Sequence, residues 1–367
     1  MKITKEDVLE ALARVEDPVA GRDIVSLGYV SGLVVRDGHV GFALDLGDDP
    51  DAAAKEPLRA RAESVVRSLP GVLGATVVLT AERPPGAASA PPRHPPLAGI
   101  AEVRAIIAVA SGKGGVGKST VAANLAVALA GAGLAAGLLD ADIYGPSVPR
   151  LMGLDQKKPE VEGKRLLPLA AHGVATMSIG YLVPAAKAMV WRGPMVASAV
   201  SQLLGDVAWG ALDILVVDMP PGTGDAQLTL AQRVPLAGAV IVSTPQDLAL
   251  IDARKAIAMF GQVEVPILGL VENMSRFVCP HCGTASDIFG HGGARETAAA
   301  LNVPFLGEIP LEMRIRETSD RGAPIVLDAP GSMEAAAFRD LAAAVRARLS
   351  ARGVLAERST EDVSQPE

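Results

Sequence analysis

The sequence predicts an α/β protein: a doubly wound, mostly parallel sheet with helices on both faces, preceded by a small α+β domain. Continuous apolar runs such as IIAVA, ILVVD and AVIVS recur between helical segments after residue 104, as buried parallel strands require. Hydrophobic residues make up 49% of the 367 residues but aromatic residues only 3%, which favours a core of Ala, Val, Leu and Ile. A Pro/Ala-rich stretch separates this part from the first 82 residues.

Residues 1–82 are predicted to form the small α+β domain. The pattern predicts, in chain order, a helix over Lys5–Val15, strands over Val30–Val35 and Val40–Leu46 joined by the turn Asp37-Gly38, a helix over 53–68, and a strand over Gly74–Thr80. Residues 83–103 are interpreted as a linker, since Pro and Ala leave few bulky side chains to pack. Residues 104–350 form the larger domain, and the polar residues 351–367 are expected to be disordered.

A glycine-rich loop follows the first strand of the larger domain. The strand Ile106–Ala110 runs through this loop into an Ala/Leu-rich helix, and the loop matches G-x-x-x-x-G-K-[ST], the P-loop pattern. Backbone N–H groups of such a loop point at a phosphate chain, and the helix adds its positive dipole end. Lys118 is expected to neutralise the β/γ oxygens of ATP, and Ser119 to offer its hydroxyl to Mg²⁺. The predicted nucleotide-binding residues are Gly112, Lys113, Gly114, Gly115, Val116, Gly117, Lys118, Ser119 and Thr120.

Acidic residues end two further strands of the larger domain. Asp140 and Asp142 close the strand AAGLLDAD, and Asp218 closes ILVVD. Ligands of doubly wound sheets gather at the carboxyl ends of the strands, so these acids are expected beside the P-loop. There they suit contacts to Mg²⁺ through water and positioning of an attacking water. The alternative is that each acid only caps the helix that follows.

A series of motifs then resembles one family of ATPases. The motifs are KGGVGKST at 113–120, DADIYGPS at 140–147, VWRGPM at 190–195, VVDMPPGTGD at 216–225, VENMS at 271–275, CPHC at 279–282, FG at 289–290 and GEIPL at 307–311. Their order, over roughly Val103–Leu341, resembles the deviant-Walker ATPases related to MinD and the nitrogenase iron protein. Within that group the chain is similar to the Mrp/ApbC iron–sulfur cluster carrier proteins.

The resemblance implies a homodimer and a role for each site residue. Lys113 would reach across the dimer to the nucleotide of the partner, and Asp142 would position the hydrolytic water. Asp140 and Asp218 would support Mg²⁺ through water, and Asn273 and Pro310 would contact adenine. From the residues alone, Lys113 can equally be a solvated surface lysine.

The chain has two cysteines, and they form the motif Cys279-Pro280-His281-Cys282. A C-x-x-C pair can bind iron or zinc, exchange disulfides, or do neither. Two thiolates do not complete an iron–sulfur cluster, but a two-fold dimer supplies four. The family resemblance implies such a bridging cluster, with [4Fe–4S] expected and [2Fe–2S] open. His281 and His291 can add to a metal site, although solvated loop histidines are the commoner case.

The N-terminal domain has a counterpart of its own. Asp17-Pro18 and the segment Asp23–Val30 resemble a small domain that is fused ahead of Mrp-type ATPases and occurs in iron–sulfur assembly factors. That domain often carries a cysteine after its second strand, and residues 46–55 contain none. We therefore expect this domain to dock partners, such as assembly factors, rather than to ligate a cluster.

Composition argues against several partners. The net charge of −7 and the lack of a Lys/Arg run predict no nucleic-acid partner. The apolar run Leu125–Leu139 is short for a membrane span and contains Gly131 and Gly133, so it is interpreted as a helix, a break and a strand, and no membrane partner is expected. Two cysteines and a charged first segment indicate a cytoplasmic protein.

The prediction for function is an ATP-dependent iron–sulfur cluster carrier that binds a labile cluster at a dimer interface and transfers it to apo-proteins. One alternative is a MinD-like ATPase switch, which uses a basic amphipathic C-terminal helix, whereas residues 357–367 are polar and acidic. The other is a nucleotide-binding scaffold with a structural zinc at the C-x-x-C pair.

Overall fold

A computed structural model describes residues 3–18, 20–36, 39–45, 56–80, 98–183 and 193–355. The chain divides into two compact units, Met1–Pro92 and Arg93–Glu367. The predicted turn Asp37-Gly38, most of the predicted linker, the Val190–Arg192 part of one motif and residues 356–367 lie outside the described residues.

The first unit is a small α+β fold, as predicted. Its elements are α1 (Lys5–Leu12), β1 (Glu16–Asp17), β2 (Arg22–Asp23), β3 (Val30–Arg36), β4 (His39–Asp45), α2 (Glu56–Arg67) and β5 (Gly74–Thr80). Strand β4 lies in the middle of a three-stranded sheet, antiparallel to β3 and parallel to β5. The apolar faces of α1 and α2 pack with this sheet into one core that includes Val8, Leu12, Phe42 and Val66.

Local signals explain where α1 begins and ends. Thr4 and Asp7 form a capping box, in which the Asp7 N–H donates to Thr4 Oγ1 and the Thr4 N–H donates to Asp7 Oδ2. The helix ends at Leu12, earlier than the predicted Val15. Val15 is nevertheless fully buried, because the turn after the helix carries it back into the core.

The second unit, in its described part, contains an eight-stranded sheet and two small separate ribbons. Its strands are β6 (Ala105–Ala110), β7 (Ala136–Asp140), β8 (Val161–Glu162), β9 (Arg165–Leu166), β10 (Leu169–Ala171), β11 (Val174–Ser178), β12 (Ile214–Asp218), β13 (Gly238–Ser243), β14 (Ile267–Asn273), β15 (Phe277–Val278), β16 (Ala285–Ser286) and β17 (Phe305–Ile309). The large sheet has the order β10-β11-β7-β12-β6-β13-β14-β17 and is parallel except for β10. The pairs β8–β9 and β15–β16 are separate antiparallel ribbons.

Helices cover both faces of the large sheet. They are α3 (Lys118–Gly131), α4 (Val148–Leu151), α5 (Gly193–Gly205), α6 (Asp225–Arg233), α7 (Asp247–Gln262), α8 (Gly293–Ala300), α9 (Met313–Asp320), α10 (Ile325–Asp328) and α11 (Met333–Ala351). Alternate residues of β6 enter the two cores: Ile107 and Val109 pack with α3 and α11, and Ile106 and Ala108 pack with α5 and α7. This arrangement confirms the predicted doubly wound fold.

The apolar run Leu125–Leu139 contains the end of helix α3, a glycine break and most of strand β7, as predicted. In the part of the chain that the structure describes, no helix combines the length and the apolar character needed to cross a bilayer.

Packed structure extends beyond both predicted boundaries of the larger domain. Residues 98–103 fall in the predicted linker, yet Ala98–Ile100 form a 3-10 turn and Ile100 packs in the core against α5. Leu355 falls in the predicted tail and is also buried. In both places an apolar side chain near a polar or Pro-rich stretch finds a core that composition alone does not reveal.

Candidate functional site

The phosphate loop joins the central strand β6 to helix α3. Gly117, the last loop residue before the helix, has a φ of 80°, which a residue with a side chain rarely adopts. At Gly112 a Cβ would lie 2.1 Å from the backbone of Asp252 in α7, so only glycine fits there. The close packing at Gly112 and the left-handed conformation of Gly117 together fix the conformation of the loop.

Lys118, the first residue of α3, is buried and paired with the acid at the end of β12. Its Nζ lies 2.5 Å from Asp218 Oδ1 and 3.1 Å from Ser119 Oγ. The other carboxylate oxygen, Asp218 Oδ2, is buried and has no hydrogen-bond partner among the described residues. A buried carboxylate oxygen without a donor is costly, so this atom is available to a ligand beside the loop.

Asp140 and Asp218 are direct neighbours in the sheet, because β7 and β12 pair in parallel with these residues in register. The oxygens of Asp140 accept hydrogen bonds from the Asp142 N–H, the Val148 N–H and the Ser178 hydroxyl at 3.0–3.1 Å. Asp140 thus also ties the start of α4 to the sheet, a capping role the sequence left open. Burial raises the pKa of Asp140 to about 7, and the charge of Asp218 adds to the rise.

Asp142 lies two residues past the end of β7 and is half-buried. Burial raises the pKa of this carboxyl. The nearby charge of Lys118 and N–H groups of Gly145 and Tyr144 act in the opposite direction. An acid of this kind, near the phosphate loop and still partly open to solvent, can accept a hydrogen bond from a water molecule.

Asn273, at the end of β14, and Pro310, directly after β17, meet at a cleft beside the start of α3. Strands β14 and β17 lie on the opposite side of β6 from β7 and β12, the strands that end in Asp140 and Asp218. The cleft has a volume of about 310 Å³. The lining residues that matter here are Gly117, Thr120, Asn273, Met274, Pro310, Leu311 and Glu312. Asn273 also supports the phosphate loop, since its Nδ2 donates to the Val116 carbonyl at 2.8 Å. The structure therefore brings the two predicted adenine contacts to one cleft next to the predicted phosphate site.

Lys113 lies in the middle of the loop and is half-buried. The Ser111 hydroxyl donates to its carbonyl at 2.9 Å. Its ammonium forms no ion pair with any residue that the structure describes. Lys118 differs, because its ammonium is paired with the buried carboxylate of Asp218.

The two cysteines lie at the tip of the small ribbon β15–β16, which follows the carboxyl end of β14. The Cys279 N–H donates to the Thr284 carbonyl and the Gly283 N–H donates to the Cys279 carbonyl, which closes the turn. Cys282 is exposed and Cys279 is partly so. Hydrogen bonds with the Thr284 hydroxyl and N–H, then with the Cys279 thiol, lower the pKa of Cys282. Two thiols in one turn, of which Cys282 has a lowered pKa, suit metal ligation or thiol exchange.

A second cluster, of which only His291 was predicted as a possible metal ligand, supports this region. Glu272, fully buried at the end of β14, accepts the N–H groups of Gly292 and Ala294 at 2.8 Å and so caps α8. His291 Nε2 lies 2.9 Å from Glu308 Oε2, which pairs the histidine with an acid instead of leaving it solvated. His281 is exposed. The signal that could have revealed Glu272 is its position directly after the apolar run Ile267–Val271, at the end of a predicted strand.

The sequence of the second unit matches a family model. Residues 102–346 match the model described as NUBPL iron-transfer P-loop NTPase. Residues 5–77, in the first unit, match the model described as iron-sulfur cluster assembly protein.

Individual proteins resemble the chain over most of its length. It is 45% identical over 353 residues to the iron-sulfur cluster carrier protein of Synechocystis, covering 95% of this chain and 98% of that protein. Among solved structures, a nucleotide-binding protein of Archaeoglobus fulgidus in complex with ADP has a TM-score of 0.55 and 45% identity, covering 61% of this chain and 88% of that one. The cell division ATPase MinD of Pyrococcus furiosus has a TM-score of 0.52 and 25% identity, covering 67% and 99%.

The family model and the Synechocystis protein agree with the resemblance carried by the motifs. The chain belongs to the family of NUBPL iron-transfer P-loop NTPases.

Proposed function

We propose that this chain is an ATP-dependent iron–sulfur cluster carrier, which loads a labile cluster on Cys279 and Cys282 and passes it to apo-proteins. One observation carries the proposal: a preformed phosphate loop and an exposed pair of thiols emerge from the same carboxyl edge of one sheet. The Synechocystis relative, aligned over almost its whole length, is named as a cluster carrier, which supports the assignment.

In the nucleotide step, the loop N–H groups and Lys118 hold the phosphates of ATP. Asp142 accepts a hydrogen bond from the attacking water, and the bond between the γ-phosphorus and the β/γ bridging oxygen breaks to give ADP and phosphate. The raised pKa of Asp142 suits transient acceptance of a proton from that water. Asn273 and Pro310 contact the adenine in the cleft that they line.

The residues beside the loop fit a magnesium ion. The unpartnered Asp218 Oδ2 and the Ser119 hydroxyl next to Lys118 are hard oxygen donors of the type that Mg²⁺ prefers. In this proposal Ser119 would hold Mg²⁺ directly, and Asp218 and Asp140 would hold it through water. Such an ion would supply positive charge to the β/γ oxygens.

The cluster is cargo, and one chain supplies two of the four thiolates that an all-cysteine cluster needs. We propose a homodimer in which a [4Fe–4S] cluster bridges two ribbons, and in which Lys113 reaches the nucleotide of the partner. The position of the thiols at the exposed tip of a small two-stranded ribbon supports release, because few protein groups shield the cluster from an acceptor.

Anaerobic reconstitution of the full chain tests the assignment. We expect iron and sulfide in equal amounts, about four of each per dimer for a [4Fe–4S] cluster, with matching absorption and a dimeric mass. An apo iron–sulfur protein should gain activity when mixed with the loaded carrier. Tight zinc at one ion per dimer from iron-replete cells would favour the structural-zinc scaffold, and a full cluster on a monomer would contradict bridging.

We propose that the first unit docks apo iron–sulfur proteins or assembly factors. The match of residues 5–77 to an iron-sulfur cluster assembly protein model supports a link to assembly. Removal of residues 1–97 should leave ATP turnover within about twofold, because the second unit has its own core, while transfer to an acceptor slows. Equal rates of cluster transfer with and without the first unit would contradict a docking role for it.

A further inference from the structure

The cysteine ribbon has few attachments to the rest of the second unit. Its two strands are two residues long, and residues 280–288 are all exposed. A two-stranded ribbon of this size is marginal in water, so its geometry depends on the few bonds that anchor it. Within the ribbon segment, the Arg276–Asp287 ion pair at 3.1 Å adds one such bond.

Two anchors come from the segment that follows β17. The Leu311 N–H donates to the Arg276 carbonyl at 2.9 Å, and Glu312 Oε1 accepts the Val278 N–H at 3.3 Å. Val278 directly precedes Cys279, so Glu312 acts one residue away from a thiol. At 3.3 Å this bond is slightly longer than the usual N–H···O distance of about 2.7–3.2 Å, so a movement of a few tenths of an ångström strengthens or breaks it.

The same segment forms a wall of the nucleotide cleft. Pro310, Leu311 and Glu312 line the cleft together with Asn273 and Met274. Glu312 is the residue at the N-cap position of α9, but its side chain makes no capping bond and bonds to the ribbon instead. Residues 310–312 therefore line the cleft for the nucleotide on one side and bond to the first strand of the cysteine ribbon and the residue before it on the other.

We propose that Glu312 is a positioning residue that transmits occupancy of the nucleotide cleft to the cysteine ribbon. A base in the cleft displaces the 310–312 wall slightly, the Glu312–Val278 bond changes, and the geometry and accessibility of Cys279 and Cys282 change with it. The inference rests on the proposed function only in that nucleotide occupies this cleft. It requires no bound cluster.

Thermodynamic linkage makes the coupling measurable at the nucleotide site as well as at the thiols. If nucleotide changes the free energy of a state of the thiols, then a change at the thiols alters the affinity for nucleotide by the same factor. The coupling is therefore measurable from either end of the path, on apo-protein.

The test is the rate of alkylation of the thiols by iodoacetamide, followed by intact mass on the full-length apo-protein with and without saturating MgADP. In the parent we expect MgADP to change the rate roughly fivefold or more. In Glu312→Ala this ratio should fall to near one, with MgADP supplied at a saturating level for that variant. Glu312→Gln keeps an oxygen acceptor for the Val278 N–H and should retain most of the ratio.

Asp287→Asn is the matched control, since it weakens the ribbon without touching the cleft. Its alkylation rates should rise in both conditions, while the ratio stays as in the parent. Overturning results are a ratio near one in the parent, an unchanged ratio in Glu312→Ala, or loss of MgADP binding in that variant, which would make Glu312 a nucleotide ligand.

A second measurement needs no variant. Zinc bound to the thiols of the parent should shift the dissociation constant for MgADP, and prior alkylation of both thiols should abolish that shift. An unchanged dissociation constant with zinc would overturn the inference even if Glu312→Ala failed to fold. Failure of the carrier function appears differently, as no iron on reconstitution, and leaves both measurements intact.

Discussion

The phosphate loop and the cysteine ribbon leave the same edge of one sheet, but they are held in opposite ways. The loop is packed against α7 at Gly112, supported by Asn273, and contains a lysine that is buried against an acid. The ribbon is exposed and attached by a few hydrogen bonds. The difference fits the proposed function, because a site that stabilises a transition state works best preorganised, whereas a site that gives up its cargo must stay accessible.

The comparison predicts that substitution of the buried lysine Lys118 disturbs both chemistry and folding. Lys118→Ala should reduce ATP turnover by roughly 10³-fold or more, because it removes the charge on the β/γ oxygens. It should also lower the free energy of unfolding by about 3–5 kcal/mol, because Asp218 is left buried and unpaired. Urea unfolding and phosphate release measure the two effects.

Two controls separate these effects. Lys113→Ala should keep the stability of the parent, since this lysine has no ion pair in the described part of the chain, while losing turnover if it acts in the partner's site. Lys118→Ala combined with Asp218→Asn should regain stability but no activity. Parent-like turnover in Lys118→Ala would remove the loop from the mechanism.

Substitutions at the cysteine ribbon should abolish iron binding without lowering the free energy of unfolding. Cys279→Ser and Cys282→Ser should each reduce iron after reconstitution to background, because at most two cysteine thiolates per dimer are left. The free energy of unfolding should change by less than about 0.5 kcal/mol, and ATP binding should persist. His281→Ala is the control and should keep its iron. Iron retained in Cys282→Ser would instead identify another ligand.

Asp142→Asn should reduce ATP turnover without reducing nucleotide binding. The amide keeps the size of the side chain but loses the negative charge, so turnover should fall roughly 10²-fold or more, with nucleotide affinity changed by less than about threefold. Single-turnover assays and equilibrium titration measure these quantities. The control is Tyr144→Phe in the same segment, which should retain turnover. Loss of binding in Asp142→Asn would make the residue structural.

Asp140→Asn should change how stability depends on pH. The folded pKa of Asp140 is raised to about 7 by burial, so the folded protein binds a proton between about pH 4 and 7 that the unfolded chain has released. The parent should therefore lose on the order of 1 kcal/mol of unfolding free energy per pH unit as pH rises through this window, relative to the variant. Urea unfolding in EDTA from pH 4 to 8 measures the difference. A constant difference would contradict the raised pKa.

The amino-acid sequence alone determined the fold class, the phosphate loop, the acids at the strand ends and the cysteine pair. Each depends on residues that are close in the chain: apolar runs with strand length, glycines at fixed spacing before a helix, and two cysteines in four residues. Local patterns of this kind fix local backbone geometry, whatever the rest of the chain does.

Only the tertiary structure decided which distant side chains meet. Lys118 and Asp218 are 100 residues apart, and Asn273 and Val116 are 157 apart, yet each pair is in direct contact. The link from Glu312 to the cysteine ribbon likewise spans 34 residues. These contacts follow from the order and register of the strands, which a pattern of alternation along one strand leaves undetermined, because the partner strand and its offset are set by packing of the whole sheet.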